Sequence, residues 1–263
     1  MIDIHCHLLP GLDDGPVDMQ HAILLARSAV RDGVTTVIAT PHYRRGVFDT
    51  NARLIRQSAA QLNAELKIRH IPLRVMTGQE IRVHDQLLEE LEAGRLLPLG
   101  QSSNVLLELP SSRIPERFED LLHELRIAGW TPVIAHPERN TVIASDPDKL
   151  AIWVNEGALC QLTSHSLTGR FGNKVKAAAW ELCRRNLIHF IASDAHNETS
   201  RPCELKMAYE LVSCKLGSTQ ADYYMRNARS ISHNMPIVRK PTQPRRRALR
   251  FFAGWSLFKG NNV

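Results

Sequence analysis

At 263 residues, with 43% hydrophobic and 23% charged residues, the chain has the length for one large domain or two small ones, and neither a disordered polymer nor a short disulfide scaffold fits it. The formal net charge is +6, yet residues 239–263 hold seven basic groups (Arg239, Lys240, Arg245, Arg246, Arg247, Arg250, Lys259) and no acid, so residues 1–238 carry 26 Lys and Arg against 27 Asp and Glu, or −1. A nearly neutral body offers no general nucleic-acid face, and any polyanion partner is expected to meet the tail.

In chain order, the first predicted strand is Ile2–Ile4. Ala22, Leu25, Ala26, Ala29 and Val30 then recur at helical spacing and stop at Gly33, a fitting cap, before a strand at Thr35–Ala39. After Thr50, Ile55, Ala59, Leu62 and Leu66 mark a second helix. Strands follow at Arg74–Thr77, Val105–Leu109, Pro132–Ala135, Ala158–Gln161 and His189–Ala192. Seven β-α units suggest an α/β fold with a parallel barrel, and a doubly wound open sheet satisfies the same alternation. With prolines at 236, 241 and 244, the composition changes, which predicts a body over 1–238 and a basic, aromatic-rich tail over 239–263. Within the tail, residues 245–259 read as a short helix. It either lies on anionic lipid through Leu249, Phe252 and Trp255, or docks on the barrel or in oligomer contacts.

The apolar runs are of strand length, short of the roughly 20 residues a membrane-spanning helix needs. No basic-then-apolar leader precedes Met1, so a cytosolic protein is expected. Five cysteines (Cys6, Cys160, Cys183, Cys203, Cys214), an odd number without a Cys-x-x-Cys pair, are expected to stay reduced.

The residues at or just beyond the carboxyl ends of the predicted strands are His5 and His7, then His42, Glu80, Glu108, His136, and finally Asp194 and His196. Any one of them reads as a solvated loop residue or a satisfied core histidine. Six strands out of seven delivering metal-ligating side chains to one rim is a different matter, because in a βα-barrel that rim is where active sites are built. Positions i and i+2 of an extended strand share a face, so His5 and His7 can reach one ion, and Asp194 and His196 repeat the spacing on the last strand. Cys6 between the histidines then points the other way, into core packing. With Asp14 of the Gly11-Leu-Asp-Asp-Gly15 loop, the set exceeds the needs of one ion and fits two or three divalent ions sharing carboxylates. Imidazole and carboxylate without thiolate suit manganese, iron or zinc.

Arg139 and Arg201 stand beside this cluster in sequence. Either a bound phosphate lies between them and the ions, or each pairs with a neighbouring acid such as Glu138 or Glu198. Clustered divalent ions make hydroxide available near neutral pH and stabilise charge on attacking and leaving oxygens, which is phosphate-ester hydrolysis. Cysteine-dependent phosphatase chemistry is excluded: the positions six after each cysteine are Leu12, Ser166, His189, Tyr209 and Gln220, none an arginine. No phosphate-binding Gly-x-x-x-x-Gly-Lys-Ser/Thr loop is present, which argues against an NTPase.

Met1-Ile-Asp-Ile-His-Cys-His7, Gly11-Leu-Asp-Asp-Gly15, Thr40-Pro-His42, Gly78-Gln-Glu80, Leu107-Glu-Leu109, Ala135-His-Pro-Glu-Arg139 and Ala192-Ser-Asp-Ala-His196 together resemble the polymerase-and-histidinol-phosphatase (PHP) superfamily. Within it the chain is most similar to the manganese-dependent protein-tyrosine phosphatases of bacterial capsule and exopolysaccharide loci, in order from Met1 to about Arg229. The resemblance implies a distorted (β/α)7 TIM-like barrel with a trinuclear site and, as substrate, a cytoplasmic tyrosine kinase of polysaccharide export. By position it implies His5, His7, Glu80 and Asp194 at a first ion, Glu80, Glu108 and His136 at a second, and Asp14, His42 and His196 at a third, with Arg139 and Arg201 on the phosphate. Nothing of the tail from Arg239 onward is covered. Rival readings are a histidinol-phosphate or other small phosphomonoester hydrolase, a phosphodiesterase or exonuclease, and a non-catalytic binding module.

Overall fold

The computed structural model describes residues 1–244, so the predicted helix over 245–259 lies outside the described residues. The chain runs β1 (Ile2–Cys6), α1 (Met19–Arg31), β2 (Thr36–Ala39), β3 (His42–Tyr43), α2 (Ala52–Ile68), β4 (Arg74–Thr77), β5 (Glu80–Arg82), α3 (Leu87–Glu92), β6 (Asn104–Glu108), α4 (Phe118–Ile127) and β7 (Thr131–Ala135). A 3-10 turn (Pro137–Arg139), α5 (Thr141–Ser145), α6 (Pro147–Asn155), β8 (Leu159–Thr163), α7 (Ser164–Thr168), α8 (Asn173–Arg184), β9 (Phe190–Ala192), α9 (Leu205–Leu216) and α10 (Ser218–Ser232) complete it. Each of the seven predicted strands is present within a residue or two. The predicted apolar stripes also hold: Ala22, Leu25, Ala26 and Ala29 are buried on α1, and Ile55, Ala59, Leu62 and Leu66 on α2. Asp18 caps α1 by accepting from the His21 N–H, and Asn51 caps α2 by accepting from the N–H groups of Arg53 and Leu54.

All pairings between these strands are parallel, in the orders β1-β2-β4 and β3-β5-β6-β7-β8-β9. The two sheets are one surface, because β2–β3 and β4–β5 are two strands bent in the middle. Across the bend the Gly78 N–H donates to Ala39 O at 2.8 Å and the Glu80 N–H to Pro41 O at 3.2 Å. The last edge returns to the first just past β9. Cys6 bridges Ala195 in parallel, the Asp194 N–H donates to His5 O at 2.8 Å, and the His7 N–H donates to Ala195 O at 2.8 Å. This is the barrel alternative of the two topologies that strand alternation allows, with its distortion at the bends and at the β9–β1 seam.

Burial on both faces explains the unbroken apolar strands: every residue of β6 and of β8 is buried. Ile4, Ile38, Leu106, Val133, Leu159 and Phe190, drawn from six strands, form a small enclosed cluster, while a larger one lies between strands and helices. α10 and the segment after it close the amino-terminal end of the barrel. Asn227 donates to His189 O and to Val238 O, and the Val238 N–H donates back to Asn227 Oδ1 at 3.0 Å. Arg239 donates to Gly157 O at 2.8 Å, and Gln243 exchanges hydrogen bonds with Arg185, so residues 234–244 run under the strand starts. Among the described residues no helix is long and apolar enough to cross a membrane.

Candidate metal centre

A bulge in β1 builds the first part of the site. Asp3 pairs with Val37 but Cys6 pairs with Ala39, which inserts one extra residue between them. Ile4 therefore joins the enclosed cluster, and after the bulge His5 and His7 face the same way while Cys6 packs into the outer core. Asp3, left on the outer side, accepts from the Ser193 backbone N–H and hydroxyl, tying the first strand to the last. The bends at Thr40-Pro41 and Gly78-Gln79 do the same for the next two strands. They carry His42 and Glu80 over the barrel mouth as directly paired neighbours. Gln79, at the second bend, is locked by its side chain to Thr50 O and to the Leu97 N–H.

Glu108 ends β6, and His136 and Asp194 follow β7 and β9 with φ of +32° and +52°, left-handed values that a side chain adopts at a cost of about 1–3 kcal/mol. Both are predicted ligands, and the strain turns them into the mouth. All nine predicted ligands meet there. Glu80 Oε2 lies 3.2 Å from His5 Nε2, 3.3 Å from His7 Nε2 and 3.0 Å from His42 Nδ1, while Glu80 Oε1 lies 2.8 Å from His136 Nε2. Asp194 Oδ1 is 3.4 Å from His7 Nε2, and Asp14 Oδ1 is 3.3 Å from His196 Nε2 and 3.6 Å from His42 Nε2. By proximity the ligand atoms form three groups: His5, His7 and Glu80; His42, Glu80 and Glu108; and His7, Asp14, His42 and His196. His42 thus approaches two groups, where the resemblance implies it in one.

The donor set suits cations. His5 Nδ1 faces Gln161 Oε1 and His7 Nδ1 faces Asp13 Oδ2, so in the neutral rings the two Nε2 atoms, 3.2 Å apart, present lone pairs that a shared ion relieves. Buried Glu80 Oε2 and His196 Nε2 make no hydrogen bond among the described residues. Electrostatics inside the cluster are strong. Burial alone would raise the Glu80 carboxyl, but His5, His42 and the bond from His136 hold it well below its usual range. Burial and then the Glu80 charge push Glu108 up. His136 is lowered to about 4 by burial and by Arg139, so it is a neutral imidazole, the form that ligates.

Arg139 Nη1 and Arg201 Nη2 converge on Asp194 Oδ2 at 2.6 and 2.8 Å, and neither pairs with Glu138 or Glu198. Glu138 instead turns inward, accepting from Ser166 Oγ and the Thr163 N–H, and burial lifts its carboxyl to about 7. The cavity over the cluster has a volume of about 220 Å³, and among the described residues Phe48 is the one apolar side chain in its lining. Phe48 stacks on His42 with centroids 5.8 Å apart and planes at 11°.

Sequence reasoning missed three participants. Asp13 holds His7 Nδ1 at 2.6 Å and the His42 N–H at 2.9 Å; its signal was its place beside Asp14. Gln161 Oε1 takes His5 Nδ1 at 3.0 Å and the His136 N–H at 3.3 Å, so the one strand that brings no ligand brings a support. Arg82 pairs with Glu108 at 2.8 Å. His165, near the mouth in sequence, is fully buried and 3.4 Å from Glu204.

A parallel βα-barrel whose carboxyl rim gathers histidines and carboxylates into adjoining cation-binding groups defines a barrel hydrolase of the metal-dependent kind. The chain belongs to the family described as "Capsular polysaccharide synthesis, CpsB/CapC", whose profile matches residues 1–233. It is 42% identical to the tyrosine-protein phosphatase YwqE of Bacillus subtilis over 254 residues, 96% of this chain and 100% of that protein. It is 31% identical to the tyrosine-protein phosphatase CpsB of Streptococcus pneumoniae, covering 88% and 98% of the two. A chain from the crystal structures of YwqE and CpsB, described as unique metal-dependent tyrosine phosphatases, superposes with a TM-score of 0.91 at 42% identity, over 94% of this chain and 100% of that one. A β-aspartyl dipeptidase from Fervidobacterium islandicum, at 14% identity and a TM-score of 0.51 over 88% and 72% of the chains, shares the fold alone.

Proposed function

We propose that this protein is a metal-dependent protein-tyrosine phosphatase of capsule or exopolysaccharide synthesis. The observation that carries the reading is the pair of guanidiniums, Arg139 and Arg201, aimed at one oxygen of Asp194 at the edge of the nine-residue cluster. Cations beside an anion-binding arginine pair are what a phosphomonoester needs at its phosphoryl group. Phe48 gives that cavity an aromatic wall, and the named relatives are tyrosine phosphatases.

His5, His7, Glu80 and Asp194 would hold a first ion, Glu80, Glu108 and His136 a second, and Asp14, His42 and His196 a third. Manganese is the proposed metal, with iron and zinc its competitors for the same ligands. Bound there, divalent ions lower the pKa of water and neutralise charge on the phosphoryl oxygens. The protein's own residues do the rest. Asp13 and Gln161 fix the rings of His7 and His5 so that their Nε2 atoms point inward. Arg139 and Arg201 bind and orient the phosphoryl oxygens by charge-assisted hydrogen bonds, and the buried floor limits the water around them.

The proposed partner is a phosphotyrosine-bearing tyrosine kinase of polysaccharide export, met in the cytosol. Four of the five cysteines are buried and all are free thiols, which suits that compartment. Residues 245–259 are proposed to touch the inner membrane face through their basic and aromatic side chains. The test is phosphate release from a phosphotyrosine peptide, histidinol phosphate and a nucleic-acid diester, with metal-stripped protein and again after adding manganese. Manganese-dependent turnover strongest on the peptide is expected. Activity confined to either of the other substrates overturns the tyrosine-phosphatase reading and leaves the metal centre.

A further inference from the structure

Beside the metal cavity lies a larger groove, about 760 Å³, between the turn after β3, the chain after β5 and the loop after β6. Arg44 and Arg82 line both, so the two are continuous. Arg45 and Arg113 line the groove only. The turn is a built one: the Phe48 N–H donates to Arg44 O at 2.8 Å, the Arg44 N–H donates to Phe48 O at 3.0 Å, and the Gly46 N–H donates to Asp49 Oδ1 at 2.9 Å. The opposite wall is held by Asn140, whose amide donates to Pro110 O at 2.7 Å and Arg113 O at 3.0 Å.

The charges in this groove are unbalanced near the cavity. Among the described residues, only Arg82 of its four arginines has a carboxylate partner, Glu108. Arg45 reaches the neutral amide of Gln86, and among the described residues Arg44 and Arg113 make no ion pair. Asp85 and Glu116 line the far end of the same groove, and past Pro115 the depression continues with Asp120 and Glu124, both paired with Arg117. Unpaired cations next to the cavity followed by acids farther out form a polarity that a bound chain would have to match.

We infer that this groove is the seat of the substrate polypeptide, and that it selects acidic side chains immediately flanking the phosphorylated residue. The inference rests on the phosphatase reading above and adds a sequence preference to it. Arg44, Arg45 and Arg113 meet carboxylates next to the phosphorylated position, whereas acids placed farther along meet Asp85 and Glu116 and are disfavoured. Exposed pairs of this kind are individually weak and salt-screened, so two or three together give about a tenfold preference at low salt.

The test uses the full chain loaded with manganese, on phosphotyrosine peptides flanked by Glu, by Ala or by Lys, on a longer peptide with Glu only at its far end, and on p-nitrophenyl phosphate, which has no flank. The expected result is a kcat/KM about tenfold higher for adjacent Glu than for Lys, no gain from distant Glu, and loss of the preference in 0.5 M salt. Arg45→Gln combined with Arg113→Gln is expected to bring the Glu and Lys peptides within about twofold, with p-nitrophenyl phosphate turnover unchanged. Equal kcat/KM for all flanks, or a Glu preference that survives in the double variant, overturns the groove assignment while leaving the phosphatase reading intact. Failure to hydrolyse any ester overturns the phosphatase reading. In that event, anisotropy of fluorescent Glu- and Lys-flanked peptides decides the groove by itself: equal binding overturns it, and tighter, Arg113-dependent binding of the Glu peptide supports it.

Discussion

Asp13 shows how a single carboxylate can govern a site without entering it. It fixes the His7 ring through Nδ1, holds the His42 backbone and caps the Gly15 N–H at 3.0 Å. Gly15 is part of the same device, since a Cβ there would stand 2.5 Å from His7 O. Asp13→Asn is expected to weaken metal binding by about 10–100-fold with the fold intact, read by metal titration calorimetry beside a thermal melt. A second residue, His189, lies away from the mouth and reports on stability. Burial, with Arg239 nearby, lowers its pKa to about 3, and Nδ1 accepts the Cys160 N–H at 3.1 Å, so the ring is neutral in the fold. The unfolded chain takes up its proton near pH 6.5 and the folded chain only near 3, so this stability is complete above 6.5 and is lost as pH falls toward 3, by roughly 1.4 kcal/mol per unit. Urea melts of His189→Gln are expected to show a shallower loss between pH 6 and 4.5 than those of the unaltered protein. An equal slope in both would refute the assignment. At this scale the nine candidate positions that the structure brings together were legible because eight are metal-ligating types at or just beyond strand ends and Asp14 stands in the loop after the first. Gln161 was not, because an amide on a buried strand has no signature until His5, 156 positions earlier, is seen at its side.

The elements position the site by being irregular. β1 uses a bulge, at a point where plain alternation from Ile4 would send His5 to the outer side, and the next two strands use bends that keep His42 and Glu80 paired. Strand ranges were readable from apolar runs, but the bulge was not: the predicted strand Ile2–Ile4 carries no sign of it, and the extra residue shows only in the pairing with β2. The bends were half visible. Thr40-Pro41 and Gly78-Gln79 read as strand ends, whereas the chain continues through both with its ladder kept. Gly78 explains why: a Cβ there would lie 2.8 Å from Ile38 Cγ2 and 3.2 Å from both Leu99 Cδ2 and Thr40 Cγ2. Gly78→Ala is therefore expected to cost about 1–3 kcal/mol in denaturant unfolding and to lower metal affinity by shifting Glu80. Unchanged unfolding would mean that the bend can relax without loss.

Over the whole molecule the barrel separates a chemical end from a structural one. Ligands, arginines and groove sit at the carboxyl ends of the strands, and α10 with residues 234–244 covers the amino-terminal ends. The seven β/α alternations were legible, and they fit a ring and an open sheet alike. What singled out the barrel over an open sheet was the seam between Cys6 and Ala195, a contact across 189 positions that no local pattern encodes. The composition break near Pro236 does not coincide with a loss of contacts. Arg239, Thr242 and Gln243 hydrogen-bond to Gly157, Asn155 and Arg185, and Lys240 lies 4.6 Å over the Tyr223 ring. Truncation after residue 238 is expected to lower Tm by several degrees, whereas truncation after 244 leaves Tm and turnover unchanged and removes any liposome binding. If both truncations melt alike, residues 239–244 contribute nothing to the body.

The path of that segment has a practical corollary for handling the protein. Because Pro244 lies beneath the strands while the mouth opens above them, a bead, sensor chip or fused partner attached at residue 244 joins the molecule on the side opposite its opening. Its catalytic opening then faces the bulk solution and remains reachable by a phosphoprotein as large as the enzyme.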